Sequence, residues 1–201
     1  MSHFSLLIIG DNPEAQLEAF WELDLPQDEL EQDYRSEFYP EFKTPTKKDY
    51  KNGEYVNGGK EFDSYEEYLE YVTEDMAYNK DTDEYGYYRN PNAKYDWYEL
   101  GGRWAGSLKL KPGESGVRGT PAVGLTVADG TADSCKVSQL SSPPDIPFAV
   151  LKDGVWNAKG EMGWFGVVSN AKDEDIWEAE VRSLLADLPG DTMLSLYDCH
   201  I

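Results

Sequence analysis

Two histidines occur in the chain, His3 and His200, one near each end. Asp198 lies two residues before His200, so in a strand these two side chains share a face and Cys199 points the other way. This alternation disfavours a Cys199–His200 nucleophilic pair within one strand. If the two terminal strands lie close together, His3, Asp198 and His200 offer a weak catalytic candidate or a two-histidine, one-carboxylate metal site. The alternative is that these polar residues merely end their strands.

A second candidate for chemistry is the stretch NPNAKYDWYELGGRW at residues 90–104. As a binding site, an aromatic ring would stack on a flat group and Arg103 would bind a phosphate or carboxylate, while Gly101 and Gly102 keep the floor clear. As a purely structural strand, Trp97 and Trp104 would fill the core and Arg103 would pair with a nearby acid.

We predict a combination of both, in which Trp97 is buried and the opposite face looks into a concavity. Trp164, from the stretch GEMGWFG, follows a glycine in a neighbouring predicted strand and would close that concavity. The predicted ligand-binding residues are therefore Tyr98, Arg103, Trp104 and Trp164.

Other recognisable chemistry is missing from the sequence. It contains no Gly-rich phosphate loop, no zinc-ligand spacing and no nucleophile elbow. We therefore predict no cofactor and no metal, and a protein that binds rather than catalyses. The favoured ligand is small and anionic or nucleotide-like, and an enzyme using His3, Asp198 and His200 is a further alternative.

The charge is strongly negative, with a formal net charge of −21 over 201 residues. Residues 1–100 carry 25 acidic and 9 basic side chains, and residues 101–201 carry 14 and 9. Such a field repels nucleic acid and anionic membranes, so neither is an expected direct partner. It suits a basic host protein, which an acidic mimic of DNA would block, although acidity also serves solubility.

Two cysteines, Cys135 and Cys199, form no disulfide framework and favour a reducing compartment. The opening MSHFSLLIIG has no basic region before its short apolar run, which is too short for a signal peptide or a membrane span. We expect a cytoplasmic protein. The oligomeric state is not indicated.

The elements that must position these residues are strand–helix units at both ends. Residues 3–9, 163–169 and 192–199 are predicted strands of one sheet, and helices are predicted near 13–23 and 173–188. Asp153-Gly154 lies between two short apolar runs and predicts a hairpin. Two such units predict an α+β, ferredoxin-like βαβ–βαβ plait with both helices on one face of an antiparallel sheet.

The middle of the chain differs in composition. We predict one domain over residues 1–201 with an acidic, Tyr-rich insertion at about 24–90 and a long Gly, Ser and Pro-rich loop at about 112–146. Within the insertion, Ser64 begins a predicted helix over 64–77 whose acidic face is solvated or, in the mimic hypothesis, stands in for phosphates.

Four stretches, HFSLLIIGDNPEAQLEAF, NPNAKYDWYELGGRW, GEMGWFG and LYDCHI, resemble a family of proteins from bacteriophages and bacteria. Members of that family begin with a His-Phe strand, carry Asn-Pro-Asn-Ala-Lys-Trp-Asp-Trp-Tyr before Gly-Gly-Arg-Trp, and end in Asp-Cys-His-Ile. This chain departs from the pattern at Tyr95 and Phe165, where relatives have Trp. It also lacks a long charged segment that the family has near residues 120–145.

The similarity covers most of the chain outside residues 24–85 and 112–146. It is looser to the ferredoxin-like domains of phage and plasmid proteins with a Trp-Gly-Thr-Lys-Trp element. No activity comes with either resemblance. A phage origin implies an accessory role, such as countering host defence, in the host cytoplasm.

Overall fold

The computed structural model describes residues 2–23, 25–56, 58 and 60–201, with the side chain of Trp164 left out. Its helices are α1 Pro13–Leu17, α2 Gln27–Leu30, α3 Lys47–Asn52, α4 Tyr65–Val72 and α5 Glu174–Leu185. Its strands are β1 His3–Ile9, β2 Glu37–Lys43, β3 Ala77–Asn79, β4 Glu84–Arg89, β5 Trp97–Gly102, β6 Leu108–Lys109, β7 Thr120–Pro121, β8 Thr131–Ala132, β9 Ser134–Lys136, β10 Ala149–Lys152, β11 Val155–Ala158, β12 Glu161–Met162, β13 Val168–Ser169 and β14 Met193–His200. Short 3₁₀ helices cover Glu18–Phe20, Val137–Gln139 and Trp164–Gly166.

The chain forms two compact units, one of Met1–Trp21 with Lys94–Ile201 and one of Glu22–Ala93. The second unit lies where the sequence predicts an insertion at about 24–90.

The first unit is built on a seven-stranded sheet with the order β11-β10-β1-β14-β5-β7, and β9 also pairs with β14. The two ends of the chain meet at its centre, because β1 and β14 pair antiparallel along their whole length, from His3 opposite His200 to Ile9 opposite Leu194. β14 pairs antiparallel with β5 on its other side, while β10 runs parallel to β1. The predicted strands at both ends of the chain and the 153–154 hairpin, now β10–β11, are confirmed.

Both faces of this sheet are covered. The first face is the side with Leu7, Leu196 and α5, whose Trp177 and Val181 are buried there. The second face is the side with Leu6, Tyr197 and α1, whose Leu17 is buried there. Successive strand residues alternate between the two faces, so β1 and β14 are apolar on both sides over most of their length.

An α+β fold is therefore what the chain adopts, but the ferredoxin-like plait is not confirmed. Our prediction that both helices share one face is wrong, since α1 and α5 pack on opposite faces. The prediction of one strand over 163–169 is also wrong. That stretch is a 3₁₀ turn followed by β13, which pairs only with β12 in a separate two-stranded sheet. Three glycines in residues 160–166 weaken a continuous strand.

The second unit contains the three-stranded sheet β2-β4-β3 and the helices α2, α3 and α4. Its interior is aromatic, with Tyr68 of α4 fully buried. The predicted helix over 64–77 is shorter than expected and ends at Val72, because the chain turns at Thr73–Asp75.

Residues 112–146, predicted as a long loop, contain β7, β8, β9 and a 3₁₀ turn. Strands of two or three residues are too short to leave a periodic pattern in the sequence.

Candidate functional site

The first-face end of β1 and β14 brings together His3, Asp198 and His200. The Nδ1–H of His3 donates to Oδ1 of Asp198 at 2.8 Å, and Asp198 is only 2 % exposed. His3 belongs to β1 and Asp198 to β14, and the antiparallel register makes them diagonal neighbours on one face. The predicted grouping of these residues is thus present in the fold.

His200 has a carboxylate partner of its own. Its Nδ1–H donates to Oδ1 of Asp96 at 2.6 Å, and the backbone N–H of Asp96 donates to the His200 carbonyl at 3.0 Å. The two imidazole rings lie edge to face, with centroids 5.0 Å apart. Each ring therefore has Nδ1 fixed by a carboxylate, which sets the neutral tautomer and leaves Nε2 as the atom that can accept or release a proton.

The Nε2 atom of His200 is buried and has no hydrogen-bond partner among the described residues. A buried, unpaired ring nitrogen is unfavourable by about 1–3 kcal/mol. Such atoms are uncommon in folded proteins and mark places where a reaction or a bound group is to be considered.

Gly101 and Gly102 make room for two buried carboxylates. A Cβ atom on Gly102 would lie 2.5 Å from Oδ2 of Asp198, and one on Gly101 would lie 2.8 Å from Oδ2 of Asp133. Because these positions carry hydrogen only, Asp198 reaches the backbone N–H of Arg103, which donates to its Oδ2 at 3.0 Å. Asp198 thus connects His3 directly to the turn that carries Arg103.

Trp97 is not the core residue that we predicted. It is 48 % exposed, on the same face as His200, its cross-strand partner, and its ring lies edge-on to His3 with centroids 6.4 Å apart. The first strand position of β5 lies at the end of the sheet, beyond the layer that α5 covers. Trp97 is therefore a wall of the histidine site.

The predicted ligand-binding residues do not form one concavity. Arg103 is exposed on the turn after β5, and no ion pair of its guanidinium occurs among the described residues. Trp104 packs against the first-face core, whereas Tyr98 packs on the second face between Tyr95 and Tyr197. Alternation along β5 separates Tyr98 from the histidines. The side chain of Trp164 lies outside the described residues.

The four quoted stretches nevertheless converge on this end of the sheet. β1, β14 and β5 are adjacent, and Ser2 ties the GEMGWFG stretch to them. Its Oγ donates to the Gly163 carbonyl at 2.9 Å and accepts from the Gly166 N–H at 2.6 Å.

Asp96 is the functional candidate that sequence reasoning missed. No sequence signal identifies it, because its role depends on which strand pairs with β14. No group of three or more His, Cys, Asp or Glu side chains in the described ranges is arranged to hold a metal ion. The chemistry available from these residues is proton transfer by two oriented imidazoles, next to an exposed tryptophan and an arginine.

Comparisons with protein-family models, with curated proteins and with solved structures found no match to this chain. No described helix combines the length and the apolar character needed to span a bilayer.

Proposed function

We propose that this protein binds a small anionic, nucleotide-like ligand at the His3–His200 site and cleaves a phosphodiester bond in it. The observation that carries the proposal is the pair of adjacent imidazoles, each with its own carboxylate on Nδ1. One imidazole with a carboxylate partner is common in protein structures for packing reasons alone. Two of them in edge-to-face contact supply both halves of an acid–base reaction.

The proposed reaction is hydrolysis by general base and general acid. The neutral imidazole takes a proton from a water molecule as its oxygen bonds to phosphorus. The protonated imidazole gives a proton to the leaving oxygen as the phosphorus–oxygen bond breaks. Asp198 and Asp96 hold the rings and balance the positive charge, as the aspartate does in other His–Asp pairs. A pair that holds one proton between two rings is suited to this division of roles.

Ligand recognition is assigned to Trp97 and Arg103. An exposed tryptophan beside the histidines can stack on a base, which is worth roughly 1–3 kcal/mol. Arg103 can place a planar, charged donor group on a phosphate, and its backbone is fixed by Asp198. A small ligand is favoured over nucleic acid, because a net charge of −21 opposes the approach of a polyanion.

The test is turnover of adenosine 2′,3′-cyclic monophosphate, which combines a flat base with a strained phosphodiester. We expect hydrolysis to a nucleoside monophosphate, with kcat at least about 100-fold lower in His3→Gln and in His200→Gln. Arg103→Ala is expected to raise KM more than it lowers kcat.

Two matched aspartate variants sharpen the assay. Asp96→Asn removes the partner of His200, whereas Asp175→Asn makes the same change at an exposed position of α5. Asp96→Asn should change the pH dependence of kcat/KM, and Asp175→Asn should not. Absence of turnover in the wild type, or equal turnover in the histidine variants, would contradict the enzymatic proposal.

Blocking of a basic host protein by DNA mimicry is the second candidate. It is supported by the exposed carboxylates of α4, Glu66, Glu67 and Glu70, opposite the buried Tyr68. A phage accessory role against host defence is compatible with either candidate. It rests on the family resemblance alone.

A further inference from the structure

A separate cavity of about 530 Å³ opens on the second face, between α1 and the start of β5. Its walls are aromatic. Tyr95 is buried and donates its hydroxyl to the Leu17 carbonyl at 3.1 Å, and the indole N–H of Trp21 donates to the Asp96 carbonyl at 3.1 Å. Tyr98 stands perpendicular to Tyr95, with ring centroids 5.5 Å apart. These contacts hold the aromatic rings in fixed positions.

The charged groups that line this cavity are all acidic. Glu14 and Glu18 are exposed and lie four residues apart, so they occupy one side of the α1 segment, and Asp96 contributes a third carboxylate. No lysine, arginine or histidine is among the lining residues. The negative charge reaches the aromatic wall, because Glu14 adds to the effect of burial in raising the pKa of Tyr98.

We propose that this cavity binds an organic cation, an ammonium or guanidinium group on an apolar stem. Aromatic faces attract a cation by about 0.5–2 kcal/mol each, and the carboxylates add Coulombic attraction. The same carboxylates repel an anion, so this is not a pocket for the ligand of the histidine site. The cavity volume is within the range of small-ligand sites. The cation is either a free polyamine or a lysine or arginine side chain of a basic protein.

The experiment is calorimetric titration of the full chain with pairs of charged and neutral probes. Choline is compared with 3,3-dimethylbutan-1-ol, and N-acetyl-arginine amide with N-acetyl-citrulline amide. We expect each cation to bind at least about tenfold more tightly than its neutral counterpart. A third cation, spermidine, separates the sources: tighter binding of spermidine than of the arginine amide indicates a free polyamine, and the reverse order indicates a protein side chain.

Glu14→Gln should weaken choline binding by about fivefold, whereas Asp175→Asn, which removes one charge on the opposite face of the sheet, should leave it unchanged. Binding of the neutral probes as tightly as the cations, no binding of either, or equal losses in both variants would overturn the proposal. The proposal does not rest on catalysis, and His3→Gln is expected to retain choline binding even if turnover is lost or never present.

Discussion

Replacement of Gly102 by alanine tests how the fold holds the His3–Asp198 pair. The new Cβ would lie 2.5 Å from Oδ2 of Asp198, whereas ordinary contacts begin at 3.4 Å. The carboxylate must therefore withdraw by about 0.9 Å, the difference between these two distances. A hydrogen bond of 2.8 Å to His3 and one of 3.0 Å to the Arg103 N–H do not both survive such a displacement.

The expected loss of stability has two parts. Alanine at a backbone φ of +50° is strained by about 1–2 kcal/mol. The loss of one charge-assisted hydrogen bond adds about 1.5–3 kcal/mol. Gly130→Ala is the matched control, because its φ is +70° and nothing lies within 4 Å of the added Cβ. Urea unfolding should show Gly102→Ala to be less stable than Gly130→Ala by about the hydrogen-bond part.

Imidazole ¹⁵N NMR provides the second readout, and it is simple to assign because the chain has two histidines. Gly102→Ala should change the tautomer signals of His3 and leave those of His200, which is held by Asp96, nearly unchanged. Equal stability of the two alanine variants, with an unchanged His3 spectrum, would refute the role assigned to the glycine pair.

Trp97→Ala should destabilise the fold far less than Trp177→Ala, because Trp97 is 48 % exposed and Trp177 is 1 % exposed; urea unfolding should give about 3–5 kcal/mol for Trp177 only, and similar losses would contradict the placement of Trp97. Burial raises the pKa of the Cys135 thiol to about 11 and also raises that of Cys199, so iodoacetamide should label native protein at pH 8 much more slowly than unfolded protein, and equal rates would contradict this burial. Burial, with a contribution from Glu14, raises the pKa of Tyr197 to about 12, so the folded state binds more protons than the unfolded state above about pH 10, and unfolding free energy should fall as pH rises towards 12; a flat profile would disagree. The hydrogen bond from Arg35 lowers the pKa of Asp33 from 3.8 to about 2, so the stability it contributes is present above pH 3.8 and lost as pH falls through 2; Asp33→Asn should reduce this acid dependence, which chemical denaturation between pH 2 and pH 5 can measure.

The sequence predicts those parts of the fold whose signals are local. β1, β14 and α5 follow from apolar runs and helical spacing, and β10–β11 from the Asp153-Gly154 turn. The face that a helix covers is not a local property. An apolar stripe on α5 shows that the helix is buried on one side, but the same stripe fits either face of a sheet that is apolar on both.

The candidate site shows the same division. The shared face of Asp198 and His200 follows from strand alternation, and their meeting with His3 requires only that the terminal strands pair. The role of Asp96 and the exposure of Trp97 depend on the pairing of β5 with β14, which is a long-range register that no sequence pattern displays. Tyr98 and Arg103 were grouped because they are near in sequence, and the turn at the glycine pair separates them.

The most direct test of the acid–base account is a titration of the protein with adenosine 3′-monophosphate, followed by imidazole ¹⁵N NMR. We expect the His3 and His200 signals to move together with one dissociation constant, and Arg103→Ala to weaken that constant by about tenfold. If neither histidine responds to the nucleotide while other residues do, the ligand binds elsewhere and the paired histidines are structural.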